Sequence, residues 1–258
     1  MSSPVSVPGF LPSTHGFHFG NSWPDEPVLT IPFPTGPISI GNAAGGLCGG
    51  MAFAVRDFFE DALPIPATTT NPAVHTPLYD YLIRRMFDSF DIPAGVATFY
   101  AWQLPTRDQG RDMVTGQWPV IRAELDAGRL VCLGLIRAKS FWPGELGKNH
   151  QVLAYGYNLD GDGRATLQLC DPNHHDRDDV TMAFPLDAGA PIEVDYLVGG
   201  EAVTAGSHER TYGAFVQRYA HCSPSAALDA HLPPVALHPS LHLSDLLESI
   251  ATRLRGKD

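Results

Sequence analysis

The stretch "HQVLAYGYNLDGDGRATLQLCDPN", residues 150–173, holds two apolar, β-rich runs separated by a cluster of turn residues. Residues 150–157 and 164–170 are too short for ordinary helices, and the segment between them (158–163) is rich in Asn, Asp and Gly, so the pair reads as two antiparallel strands joined by a turn. Three further runs have the same character: "RLVCLGLIR" (129–137), "DVTMAF" (179–184) and "PIEVDYLV" (191–198). Residues 210–219 are a candidate for one more strand. Short strands with short connections describe an antiparallel sheet.

Upstream, the apolar period lengthens. Met51, Val55, Phe58, Phe59 and Ala62 fall at helical spacing, and the prolines at 64 and 66 stop the pattern, so a buried helix is expected with Cys48 in its first turn. Thr76-Pro77 is a helix start, after which Leu78, Leu82, Met86 and Phe90 share a face. A third helix is expected within 106–127, ending near Gly128. Helices followed by strands make the class α+β. Residues 1–46, rich in Pro, Gly and Ser, read as an extended wrap belonging to one domain that runs to residue 222. Residues 223–258 read as a Pro/His-rich linker and a closing amphipathic helix.

With 258 residues, 44% of them apolar and 17% charged, the chain has ample material for a core. Its 28 acidic residues outnumber 17 basic ones for a formal charge of −11, and no Lys/Arg block is present to follow a phosphate backbone, so nucleic acid is not expected as a partner. The start, "MSSPVSVPGFLPS", lacks the basic and apolar regions of a secretory signal, and no apolar run approaches the ~18 residues of a membrane helix. A cytoplasmic address without membrane association is expected, with leaderless export left open. The sequence does not specify an oligomeric state.

Four cysteines form no disulfide framework in a chain of this length, and Cys132 and Cys170 sit within apolar strand-like runs. Cys48 differs: "GGLCGGMAFAV" (45–55) places it among glycines at a helix N-terminus, where unpaired N–H groups and the helix dipole favour a thiolate. Glycines on either side would let substrate approach the sulfur.

A nucleophilic thiolate needs a base, and the base an orienting partner. If Tyr157 pairs with Arg164 across a six-residue turn, His150 faces Asp171, at the ~4.5–5.5 Å Cβ separation of directly opposed residues. A two-residue change of register brings Asn173 there instead, so Asp171 is preferred and Asn173 is the alternative orienter. Oxyanion donors would be the Cys48 backbone N–H and the Asn42 side chain, six residues upstream.

Other features read more plainly. "HHDRDD" (174–179) lacks zinc-ligand spacing and reads as a solvated acidic loop, and "DGDG" (160–163) reads as a tight turn rather than a calcium loop. No metal and no cofactor are expected. Trp102 and Trp118 read as packing residues, while Trp142, eight residues before His150, is a candidate for lining a cleft.

An amide six positions before a Cys-Gly at a helix start, a His opening an apolar strand, and an Asp-Pro closing the next strand together resemble the papain-like cysteine peptidase superfamily. The closest branch is the double-glycine, bacteriocin-leader-processing peptidase-like one. The resemblance covers residues 41–56 and 148–174. It implies a papain-like fold, with Cys48 as nucleophile, His150 as base and later acid, Asp171 as orienter and Asn42 in the oxyanion hole. The family's upstream amide is normally Gln, one methylene longer than Asn42. The implied activity is hydrolysis of a peptide or amide substrate through a thioester. Acyl transfer by the same triad, or a catalytically inactive binding module on the same scaffold, are the alternatives.

Overall fold

The structure, a computed structural model, describes residues 4–23, 29–31, 38–40, 46–203 and 209–229. Asn42 and the expected closing helix lie outside the described residues. The chain runs β1 (Val5–Ser6), α1 (Pro12–His15), β2 (Leu29–Ile31), β3 (Ile38–Ile40), α2 (Cys48–Glu60), α3 (Pro77–Phe90), α4 (Ala94–Gln103) and α5 (Gln109–Asp112). A π-helical turn (Met113–Gln117) leads into α6 (Trp118–Asp126). Then come β4 (Val131–Ile136), β5 (His150–Leu159), β6 (Arg164–Cys170), β7 (Val180–Pro185), β8 (Asp195–Val198), β9 (Glu201–Ala202), β10 (Gly213–Val216) and α7 (Pro224–Asp229).

The class is α+β. Seven strands form an antiparallel sheet in the order β10-β4-β5-β6-β7-β8-β9, and β1 joins the same sheet by pairing with β5. β4 covers β5 from His150 to Ala154, and β1 takes over at Gly156 and Tyr157, so the N-terminal segment is part of the sheet as well as a wrap around it. β2 and β3 form a separate hairpin. Among the described residues no helix is long and apolar enough to cross a membrane.

Helix α2 is buried along nearly its whole length because it is held between α3 on one side and β5 on the other. Gly49 and Gly50 make this possible. A Cβ at Gly50 would lie 2.1 Å from the Leu82 carbonyl oxygen of α3, and one at Gly49 would lie 2.2 Å from Ser89 Oγ and 2.4 Å from Gln151 Oε1. These two glycines therefore serve the packing of α2 against its neighbours, whereas the expectation from sequence gave the flanking glycines to substrate approach. Gly50→Ala is expected to cost ~1–3 kcal/mol, because the obstructing atom is backbone and cannot rotate away. Thermal unfolding would show a Tm lower by several degrees, and an unchanged Tm would contradict this packing.

The same helices share a buried charge cluster. Asp57 of α2, fully buried, takes an ion pair from Arg85 Nε of α3 at 2.7 Å and hydrogen bonds from Tyr81 Oη and Tyr219 Oη, both at 2.7 Å. The Cys222 N–H donates to the same carboxylate at 3.1 Å, and Arg85 Nη2 donates to the Ala220 carbonyl at 2.9 Å. The segment after β10 is thereby fixed to the helical layer.

Several details differ from the reading of the sequence: the segment expected to be extended holds a short helix, α1, and the expected linker begins with another, α7. Helix α4 was not anticipated, because it is apolar on most faces and shows no amphipathic stripe. The strand expected over 191–198 is confined to Asp195–Val198, and that over 210–219 to Gly213–Val216. The β5–β6 turn is shorter than six residues: Leu159 pairs with Ala165 and Tyr157 with Leu167, and a bulge between Ala154 and Gly156 shifts the remainder so that Leu153 pairs with Cys170.

Candidate active site

Cys48 is the first residue of α2, 6% exposed, where helix N–H groups lack partners within the helix. The backbone just before it is anchored by Asn21, whose Oδ1 accepts from the Leu47 N–H at 2.6 Å. Asn21 Nδ2 in turn donates to Asn173 Oδ1 at 2.9 Å. One side chain thus joins the approach to Cys48 to the turn that follows Asp171.

His150 opens β5 with its backbone paired to Leu135, and its ring is buried. Its Nε2 lies 2.6 Å from Asp171 Oδ1. The contact forms in a different register from the one expected. Continuing past Leu153–Cys170 carries Asp171 to the level of Val152, on the diagonal from His150, a separation that an imidazole and a carboxylate can span. Asn173, the alternative orienter, is engaged by Asn21 instead.

Asp171 is the hub of the site. It leaves β6 and caps the short 3-10 turn Pro172–His174, with Oδ1 accepting from the Asn173 N–H at 2.8 Å. Its Oδ2 accepts a hydrogen bond from Tyr196 Oη of β8 and faces Arg137 Nη2 at 3.7 Å. Leu167, Leu169 and Asp171 alternate onto one face of the sheet, and Leu167 pairs through Met182 with Tyr196, which brings the phenol to the carboxylate. Neither Tyr196 nor Arg137 was singled out from sequence. Both lie in ordinary strand-like runs, and no local pattern signals a contact across 25 or 34 residues.

Burial alone would pull the imidazole's proton affinity down. The Asp171 carboxylate opposes it, Arg137 works against that pull, and the Cys48 sulfur adds to it, so His150 is raised to about 9. For Asp171, burial is likewise overcome, by His150 and then by Arg137 and Tyr196, and its carboxyl is held well below the usual range. Cys48 therefore lies within electrostatic reach of the ring, although the described residues show no hydrogen bond between the two. Such contacts are often loose before substrate binds. With Nε2 engaged by Asp171, Nδ1 is the ring nitrogen left for another partner.

These shifts set a pH window for stability. The His150 contribution is complete below the ~6.5 of an unfolded histidine and is lost as pH rises through about 9. That of Asp171 is present above the ~3.9 of an unfolded aspartate and is lost as pH falls through its lower folded value. The Tm advantage of wild type over Asp171→Asn is therefore expected to be greatest near pH 4–6.5 and to shrink through pH 9. A pH-independent difference would contradict the ion pair.

The remaining candidates are placed as follows. Asn42 is outside the described residues. Trp142 is 50% exposed on the β4–β5 connection beside Phe141, 62% exposed, and its carbonyl accepts from Gln103 Nε2 at 3.1 Å. Trp102 and Trp118 are core residues. Asp160 closes the expected tight turn by accepting from the Asp162 and Arg164 N–H groups at 3.0 and 2.8 Å. The acidic loop is less free than expected: Asp178 accepts from the Ser13 N–H at 2.8 Å and hydroxyl at 2.6 Å, and Asp176 pairs with His18 at 2.5 Å and His175 at 3.0 Å. Among the described residues no group of His, Cys, Asp and Glu is arranged to hold a metal ion. Comparison with protein-family models, curated proteins and solved structures found no match for this chain.

Proposed function

We propose that this chain is a cysteine-dependent hydrolase of papain-like fold, a peptidase or amidase, in which Cys48 is the nucleophile, His150 the base and then the acid, and Asp171 the orienter. The observation that carries this reading is the buried His150 Nε2–Asp171 Oδ1 contact of 2.6 Å, set beside a cysteine at the first position of a helix. A buried helix bearing the sulfur and an antiparallel sheet bearing the imidazole and the carboxylate support the papain-like assignment.

In the proposed reaction Cys48 Sγ attacks the amide carbonyl carbon as its proton passes to His150 Nδ1, and the carbonyl oxygen becomes an oxyanion facing the Cys48 N–H. Collapse breaks the C–N bond, His150 returns its proton to the departing amine, and a thioester remains. Water then attacks the thioester while His150 accepts one of its protons. The acid leaves, and the proton returns to sulfur. Asp171 stays ionised throughout, holding the ring and stabilising the imidazolium.

The test is incubation with a diverse peptide library and mass-spectrometric detection of new termini, for wild type and Cys48→Ala. Cleavage that disappears with the sulfur supports the reading, and cleavage that survives its removal contradicts it. The low exposure of Cys48, 6%, and of His150, 4%, favours one second reading, a binding scaffold that does not turn over. In that case Cys48 would react with iodoacetamide at a rate independent of His150.

A further inference from the structure

We propose that Arg137 and Tyr196 are positioning residues, which fix the second oxygen of the Asp171 carboxylate and so keep the His150 ring aimed toward Cys48. The assignment rests on the hydrolase reading of this site and names parts that the triad alone does not contain.

A carboxylate held through one oxygen can still swing about its Cβ–Cγ bond, and the imidazole would move with it. Here that rotation is blocked from four segments of chain. Oδ1 holds His150 Nε2 and the Asn173 N–H, while Oδ2 holds the Tyr196 hydroxyl and faces Arg137. The Arg137 side chain is 4% exposed and that of Asp171 fully buried, so solvent contributes little to the arrangement.

Arg137 carries the stronger part of the argument. Its Nε and Nη2 are buried without a hydrogen-bond partner among the described residues, and its guanidinium stands 5.1 Å from the centre of the Tyr196 ring and 3.7 Å from Asp171 Oδ2. Burying a guanidinium so sparsely satisfied costs several kcal/mol, and an apolar side chain of similar volume would be more stabilising. A purely structural role does not explain it, whereas charge balance does. Arg137 offsets part of the Asp171 charge, so the carboxylate holds the His150 ring without binding its proton too tightly to be passed on. Without the guanidinium, Asp171 would act unopposed on the imidazole and hold its proton to higher pH. Among the described residues, the other titratable groups in reach are the buried Cys170 thiol beside Asp171, and Glu209, which acts on Tyr196 and pairs with His174 at 2.9 Å.

The experiment compares wild type with Tyr196→Phe, Arg137→Met and Arg137→Lys. It reads the pH profile of iodoacetamide reaction at Cys48, the NMR titration of His150 and, with a cleaved peptide from the library, kcat and KM separately. Tyr196→Phe is expected to lower kcat about ten-fold with little change in KM, the loss of one hydrogen bond to a charged group. Arg137→Met is expected to move the His150 titration and the alkaline limb of the profile upward by about one pH unit, and Arg137→Lys to restore most of it. Folded variants with wild-type kcat and an unmoved His150 titration would overturn the assignment. If Arg137→Met does not fold, Tyr196→Phe decides, since it keeps the ring beneath the guanidinium. If wild-type Cys48 reacts independently of His150, the hydrolase reading fails, and the His150 titration in the variants still decides whether these two residues govern the imidazole.

Discussion

On the proposed hydrolase reading, Cys48→Ala and His150→Ala are each expected to lose three or more orders of magnitude in kcat for amide hydrolysis. The sulfur has no substitute: Cys132 and Cys170 are buried in the sheet, where desolvation pushes the Cys132 thiol up to about 12 and Cys170 higher still. Nor has the imidazole, because the other histidines of the described site region are committed elsewhere, His174 to Glu209 and both His18 and His175 to Asp176. Residual activity from the oxyanion donor and substrate binding would be the floor reached by either variant, and the double variant would fall little further, as expected of groups that act as a unit. Measurement of kcat and KM on a library-derived peptide checks this. A His150→Ala protein within ten-fold of wild type would remove the base from the mechanism.

The largest expected effect on stability is that of Asp57→Ala, a loss of ~3–5 kcal/mol, with a Tm lower by roughly ten degrees. The substitution removes the buried one of the two carboxylates that the Arg85 guanidinium, itself 2% exposed, contacts, leaving only the more exposed Asp88. It also takes the shorter hydrogen bond from the Tyr81 and Tyr219 hydroxyls, which keep the Cys222 carbonyl and Glu60 at 3.1 Å, and the Asp57 acceptor from the Cys222 N–H. Much of the cost is that of a buried guanidinium left with one partly exposed carboxylate, Asp88, and the Ala220 carbonyl. A double variant, Asp57→Leu with Arg85→Met, is therefore expected to recover much of the loss. Chemical denaturation of the two singles and the double closes the cycle. A single-variant loss below ~1 kcal/mol would mean that the cluster is solvated and worth no more than a surface pair.

Much of the fold was legible because its signals are local. Thr76-Pro77 opens α3 and Cys48 opens α2 where spacing and helix-start chemistry placed them, and β6 occupies Arg164–Cys170 as read. The register was not legible, since it depends both on a turn shorter than six residues and on the bulge between Ala154 and Gly156. One signal was available: an isolated glycine within a strand-like run marks a bulge or a close backbone approach. Gly156 has both, for its Cβ would sit 2.7 Å from the Val5 carbonyl of β1. The pairing of His150 with Asp171 survived the wrong register because a shift of two residues keeps both side chains on the same face. Asn21, Arg137 and Tyr196 are different in kind. They reach the site from other strands and from the N-terminal segment, and such contacts exist only once the sheet is assembled.

The central claim is that Cys48 is activated by His150, and the most direct measurement is mapping of iodoacetamide modification at neutral pH across the four free cysteines, in wild type and in His150→Ala. The account predicts that Cys48 is modified first in wild type and that its rate falls sharply when the imidazole is removed. Equal or faster modification of the half-buried Cys222, together with a Cys48 rate indifferent to His150, would contradict it.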